Sequence, residues 1–183
     1  GLGGRGVSEQ LRRNLDGLDA LVARTAAARG LPAPYVEKDF WVTEVLRAAA
    51  VDRAVAMPGG STAPVTFLFK GGTSLSRVFG IVNRFSEDVD LLAVFPEGAA
   101  TNARHKVLKQ VDTDVTNHLG LTKNDVGVGA STTGVKRHTT YHYPVSEYDE
   151  GLKEGVLLEL GSRGGIYPAG PHPYRSMVAD YAI

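Results

Sequence analysis

Two aspartates one residue apart, Asp88 and Asp90, are the place in this sequence where residue type and spacing best suit chemistry. They open an apolar run, Asp88 to Phe95, whose Val89, Leu91, Leu92, Val94 and Phe95 predict a central strand. Side chains alternate along a strand, so carboxylates at i and i+2 leave from the same face. Held there they repel. A divalent cation is the simplest compensator, because hard oxygen ligands suit Mg²⁺ or Mn²⁺, and such ions usually bind one or two carboxylates plus substrate phosphates. Two ions could clamp a nucleoside triphosphate, one lowering the pKa of an attacking hydroxyl and the other neutralising charge on departing pyrophosphate. An isolated Asp-x-Asp is more often a solvent-facing strand edge, so the neighbouring sequence has to decide.

Upstream stands Lys70-Gly71-Gly72-Thr73-Ser74, after a short run rich in β-formers, Val65 to Phe69. The glycine pair permits close backbone approach, and the two hydroxyl residues can begin a helix whose exposed N–H groups favour phosphate oxygens. Alone, this pattern is more often an ordinary strand-to-helix turn, and it lacks the Gly-Lys-Ser/Thr of a Walker A loop. A short helix over Leu75 to Phe79 would fold the chain back and bring both motifs to one cleft. Arg77 and Arg84 could contact phosphates or an acceptor RNA, although surface arginines usually do neither. Ser86 lies close to the acidic pair, and phosphorylation there would disfavour both metal and triphosphate.

Together, Phe69-Lys70-Gly71-Gly72-Thr73-Ser74-Leu75-Ser76-Arg77 and Arg84-Phe85-Ser86-Glu87-Asp88-Val89-Asp90-Leu91 resemble the first signature of the AbiEii/MenT-type nucleotidyltransferase toxins of type IV toxin–antitoxin systems. These toxins fall within the DNA polymerase β-like superfamily. Glu37-Lys38-Asp39-Phe40-Trp41-Val42-Thr43 is similar to the family's preceding helix, and the likeness is strong over residues 35 to 92 and thinner beyond. The resemblance implies that Gly72, Thr73 and Ser74 position a triphosphate and that Asp88 and Asp90 bind metal. It also implies a third carboxylate on a neighbouring strand. Val156-Leu157-Leu158-Glu159-Leu160 offers one acid inside an apolar strand, where an unpaired charge would be expensive, so Glu159 is the candidate. Its alternative is a solvent-facing carboxylate or a partner for Arg163.

Family members carry a basic residue on the strand before this acid, and Lys136 and Arg137 are available. Neighbours on a strand face opposite sides, so only one can point to the triphosphate; Arg137 is favoured. The expected set is thus Asp88, Asp90 and Glu159 for Mg²⁺ or Mn²⁺ and catalysis, with Arg137. Gly71, Gly72, Thr73, Ser74, Arg77, Arg84, Ser86 and Lys136 complete it around the NTP. By resemblance the reaction moves a nucleoside monophosphate from an NTP to an RNA hydroxyl, with the tRNA 3′ end as acceptor by analogy, stopping translation and growth. A cognate antitoxin is the expected protein partner. Two other readings compete: a catalytically silent nucleotide- or partner-binding module of the same fold, and an Asp-x-Asp phosphohydrolase. The latter places its apolar strand before the first Asp, whereas Arg84 to Glu87 are mostly polar. His138 and His142 share a strand face, but a zinc site with no further evident ligand is the weaker reading.

These groups need a scaffold, and the chain is long enough for one compact core. Its 183 residues are 43% hydrophobic and 22% charged, which suits a globular enzyme and argues against disorder. Twenty basic and twenty acidic side chains cancel, so a polyanion would have to meet a local patch. Absence of cysteine excludes disulfides and thiolate zinc sites. No apolar run approaches the roughly 18 residues of a membrane helix, and no signal-peptide layout is present, so a cytoplasmic protein is expected. Residues 1 to 7 read as a processed or artificial end, with one nucleotidyltransferase domain over 8 to 183. Within it, Leu11, Leu15, Leu18 and Val22 predict an amphipathic helix capped by Ser8 and ended by Gly30 and Pro32. A second helix follows, with either Val36, Phe40 and Thr43 or Val42, Val45, Leu46 and Ala49 inward, and Trp41 in the core. The segment 35 to 64 thus reads as leading helix and turn, 65 to 95 as the signature, and 135 to 163 as the strands with the third carboxylate. Thr101 to Leu119 predicts a long helix stopped at Gly120, and the segments Val135 to Tyr143 and Val156 to Leu160 predict an antiparallel pair. The expected fold class is α/β (α+β): a small mixed sheet of the polymerase β-like nucleotidyltransferase type, with helices packed on it.

Overall fold

The computed structural model describes residues 3–69, 87–130 and 134–164. Among them, four helices, α1 (Gly3–Arg13), α2 (Leu15–Arg29), α3 (Ala33–Ala49) and α4 (Thr101–Leu119), accompany six strands. The strands are β1 (Arg53–Ala56), β2 (Thr62–Phe69), β3 (Asp88–Phe95), β4 (Val126–Val128), β5 (Arg137–Tyr141) and β6 (Val156–Gly164). They form one mixed sheet in the order β1-β2-β3-β6-β5-β4, in which only β3 and β6 run parallel. The expected mixed α+β architecture is therefore present.

The single N-terminal helix of the sequence reading is two helices, broken at Asn14. Its backbone leaves the helical region (φ −125°, ψ 85°), and its side-chain oxygen accepts the Gly17 N–H at 3.0 Å. Asn competes with the helix for such donors and so makes a cap where the apolar period alone suggested continuity. Gly30 and Gly120 end α2 and α4 in the left-handed region, as their places in the pattern predicted. The short strands β1 and β4 were not anticipated. β1 pairs with β2 across a turn in which Gly59 and Gly60 both take positive φ.

Alternation along the central strands divides the sheet into two faces. Val89, Leu91, Ala93 and Phe95 of β3 and Leu158 and Leu160 of β6 are almost completely buried in one core with Phe40, Trp41, Val45, Leu108 and Val111 from α3 and α4. The intervening residues of β3, beginning with Asp88 and Asp90, are half-buried and project from the other face. This alternation lets a sheet core and a row of carboxylates share one eight-residue strand.

Candidate active site

Register settles which acids share a face. In the parallel β3–β6 ladder, Asp90 lies opposite Glu159 and Asp88 opposite Leu157. In the antiparallel β5–β6 ladder, His138 lies opposite Glu159. Directly opposed residues point the same way, so Asp88, Asp90, Glu159 and His138 leave from one face of three adjacent strands, spaced by about 4.8 Å per strand. The neighbouring strand expected for Glu159 is β6, beside β3.

Arg137 falls on the other side, and the expectation that it faces the triphosphate is corrected. It is opposite Leu160, in the buried layer, and its Nε forms an ion pair with Asp112 of α4. Asp112 also accepts from the Thr139 and Tyr141 hydroxyls at 2.9 Å each. One residue of register decides this: a basic side chain one place earlier or later would leave from the acidic face. Lys136 precedes β5 and is exposed. His142 also lies beyond the strand end and donates its backbone N–H to the Asp125 carbonyl at 2.8 Å. Gly71, Gly72, Thr73, Ser74, Arg77, Arg84 and Ser86, with the expected helix over 75–79, lie outside the described residues.

A lysine that the sequence reading passed over reaches the acidic face instead. Lys153, in the loop between β5 and β6, places Nζ 3.2 Å from Asp88 Oδ2. The pair is open to solvent, with Lys153 70% and Asp88 38% exposed. The hydrogen bond to Asp88, reinforced by the charges of Asp88, Glu87 and Glu159, holds the lysine's pKa above its ordinary value.

The backbone beneath Lys153 is fastened from both sides. Its N–H donates to Glu87 Oε2 at 2.6 Å, and its carbonyl accepts from Lys38 Nζ at 2.7 Å. Lys38, only 1% exposed, also donates to the Gly155 carbonyl and stands 3.7 Å from Glu87 Oε2. Burial lowers its pKa, and the charges of Glu87 and Asp88 oppose that shift. Such a cation is tolerated inside only because its donors are satisfied. Next to it on α3, Glu37 accepts from the Ser146 N–H and Oγ at 3.2 and 3.1 Å, and Trp41 stacks on Tyr143 with ring centroids 5.5 Å apart. The charged stretch Glu37-Lys38-Asp39 thus has a physical account for its first two members: they tie the β5–β6 loop to the core. The available signal was a run of charges beside an apolar helix face, Val36 and Phe40, with no solvent-facing side long enough to hold it.

Carboxylates on two adjacent strands form a hard-oxygen donor set that suits Mg²⁺ or Mn²⁺ in type and in facing. Among the described residues, however, no trio of His, Asp or Glu side chains is gathered at metal-holding distance, so the acids would have to converge by side-chain rotation. The same condition applies to zinc at His138 and His142. No described helix is long and apolar enough to cross a membrane.

Comparison with curated proteins gives no match. The family model described as "Nucleotidyl transferase AbiEii toxin, Type IV TA system" matches residues 61–182, more than half of the chain and all of the strands that bear the acids. The chain therefore belongs to the AbiEii nucleotidyl transferase toxin family of type IV toxin–antitoxin systems.

Proposed function

We propose that this protein transfers a nucleoside monophosphate from an NTP to an RNA hydroxyl, in a reaction dependent on Mg²⁺ or Mn²⁺, and that the acceptor is the 3′ end of tRNA. The observation that carries this reading is the pairing of Asp90 with Glu159 across parallel strands, with Asp88 two residues away on the same face. The acceptor oxygen would attack the α-phosphorus as the bond to the bridging α–β oxygen breaks and pyrophosphate leaves. Asp88, Asp90 and Glu159 would hold the divalent ions, which supply charge neutralisation and an acidified hydroxyl. The chain's own task is positioning. Adjacent parallel strands hold the backbone beneath the carboxylates, whose side chains would rotate onto the ions, and Gly71, Gly72, Thr73 and Ser74, with Arg77, Arg84, Ser86 and Lys136, remain the proposed phosphate contacts. His138, opposite Glu159, adds an imidazole to the row. The tRNA acceptor rests on the resemblance, since the neutral charge balance gives no general attraction for RNA. Family membership implies a cognate antitoxin, and its synthesis in the same cytoplasm is part of the proposal.

Incubating the folded protein with each labelled NTP in turn, Mg²⁺ and total tRNA tests this reading. Incorporation from at least one NTP is expected, with loss of roughly a thousandfold or more in Asp88→Ala. No incorporation from any NTP would point instead to the silent binding module, and full activity in Asp88→Ala would remove the metal assignment.

A further inference from the structure

The β5–β6 loop is held more firmly than a surface turn needs, and its fastening converges on one residue. Glu87, immediately before Asp88, accepts from the Lys153 N–H, while buried Lys38 donates to the Lys153 carbonyl. Both sides of one peptide segment are therefore fixed, by the residue leading into β3 and by the α3 helix behind it. The Lys153 side chain is free of that constraint and 70% exposed, and its ammonium rests at Asp88 Oδ2. A flexible four-carbon stem on a fixed backbone can carry a charge several ångströms without moving the loop.

We propose that Lys153 is a resident counter-cation of the acidic face: it occupies Asp88 when no divalent ion is bound, is displaced by that ion, and then engages a phosphate of the incoming nucleotide. This inference rests on the metal-dependent nucleotidyl-transfer reading above. Like charges gathered on one face repel, and a lysine at Asp88 offsets part of that repulsion from an exposed position, without closing the site. A divalent ion arriving there would repel the ammonium, and nucleotide phosphates would offer it a new negative partner. Lys153 thus stands for the basic group that the sequence reading sought at Arg137, but it comes from the loop rather than from β5. Lys38 is the positioning residue: it holds the carbonyls of Lys153 and Gly155.

The test compares wild type with Lys153→Gln and Lys153→Arg. Mn²⁺ binding is followed by electron paramagnetic resonance without nucleotide, and binding of α,β-methylene analogues of the four NTPs is followed by calorimetry with Mg²⁺ present. Lys153→Gln should bind Mn²⁺ about two- to fivefold tighter, because a competing cation is gone. It should also bind the preferred analogue roughly three- to tenfold more weakly, because a phosphate partner is gone. Lys153→Arg should restore the nucleotide affinity. Unchanged Mn²⁺ and analogue affinities in Lys153→Gln, with wild type binding both, overturn the role of Lys153 and leave the transferase reading intact. So does a Lys153→Arg protein that behaves like Lys153→Gln. A wild type that binds neither Mn²⁺ nor any analogue overturns both.

Discussion

Carboxylates stand against both faces of the β3–β6–β5 sheet, on the strands themselves on one side and on α4 on the other, and they are treated in opposite ways. On the core face, Asp112 meets Arg137, Thr139 and Tyr141 and is 7% exposed. Every partner is polar, close and fixed, and burial beside Asp112 drives the Tyr141 hydroxyl far above its usual pKa. On the other face, Asp88, Asp90 and Glu159 are half-buried, and Asp88 meets an exposed, flexible lysine. A carboxylate buried among fixed polar partners is structural. A row of carboxylates held on rigid strands, with a movable counter-charge, is suited to receive a ligand.

Reciprocal substitutions break this contrast most directly. Glu159→Gln is expected to reduce nucleotide incorporation by roughly a thousandfold while leaving urea-unfolding stability within about 1 kcal/mol of wild type. Asp112→Ala should do the opposite. It strands the Arg137 charge and leaves two buried hydroxyls without their acceptor, costing about 3–5 kcal/mol of stability. Activity per folded molecule, measured well below the unfolding transition, should stay near wild type. If Asp112→Ala leaves stability unchanged, or if Glu159→Gln unfolds the protein while its folded fraction remains active, the division of labour between the faces is wrong.

Why the sequence revealed one face better than the other follows from what periodicity reports. Asp88 to Phe95 matched β3 residue for residue, since alternating apolar residues and a leading Asp-x-Asp are local facts. The Thr101 to Leu119 helix and its glycine stop were equally local. Register between strands distant in sequence is not local, so the choice between Lys136 and Arg137 could not come from the pattern, and the favoured residue went to the wrong face. Lys38 and Lys153 were missed for a related reason. Their meaning lies in contacts 65 to 117 residues apart in sequence, and Lys153 stood between two segments that read as strands.

Gly155 is where that long-range contact can be sharpened. It adopts φ +68°, and a Cβ there would meet the Tyr141 carbonyl oxygen at 2.6 Å, against backbone that cannot swing aside. Gly155→Ala should therefore destabilise the fold by about 1–3 kcal/mol, through left-handed strain and the displaced start of β6. Because Lys38 holds the Gly155 carbonyl, the shift should also disturb the Lys153 segment. Hydrogen exchange at the Lys153 N–H, which donates to Glu87 in the wild type, should quicken more than exchange at core positions of β3. Equal acceleration everywhere would mean that the loop is not specifically fastened.

The smallest expected effect concerns the other loop anchor, Glu37. Burial raises its pKa above 4.5, opposed by the hydrogen bonds from Ser146 and assisted by the nearby charges of Asp19 and Glu147. The folded protein then keeps this proton to a higher pH than the unfolded chain does. Lowering the pH through the raised folded value toward 4.5 therefore favours folding, whereas above the folded value the penalty for the buried charge is fully present. Glu37→Gln removes this dependence and retains a carbonyl acceptor for Ser146. The stability difference between Glu37→Gln and wild type, measured by urea unfolding at a series of pH values, should shift in favour of wild type as pH falls across that window. A difference independent of pH would show that Glu37 titrates alike in the folded and unfolded chains, and that the α3 anchor at Ser146 holds the loop without the strain of a buried charge.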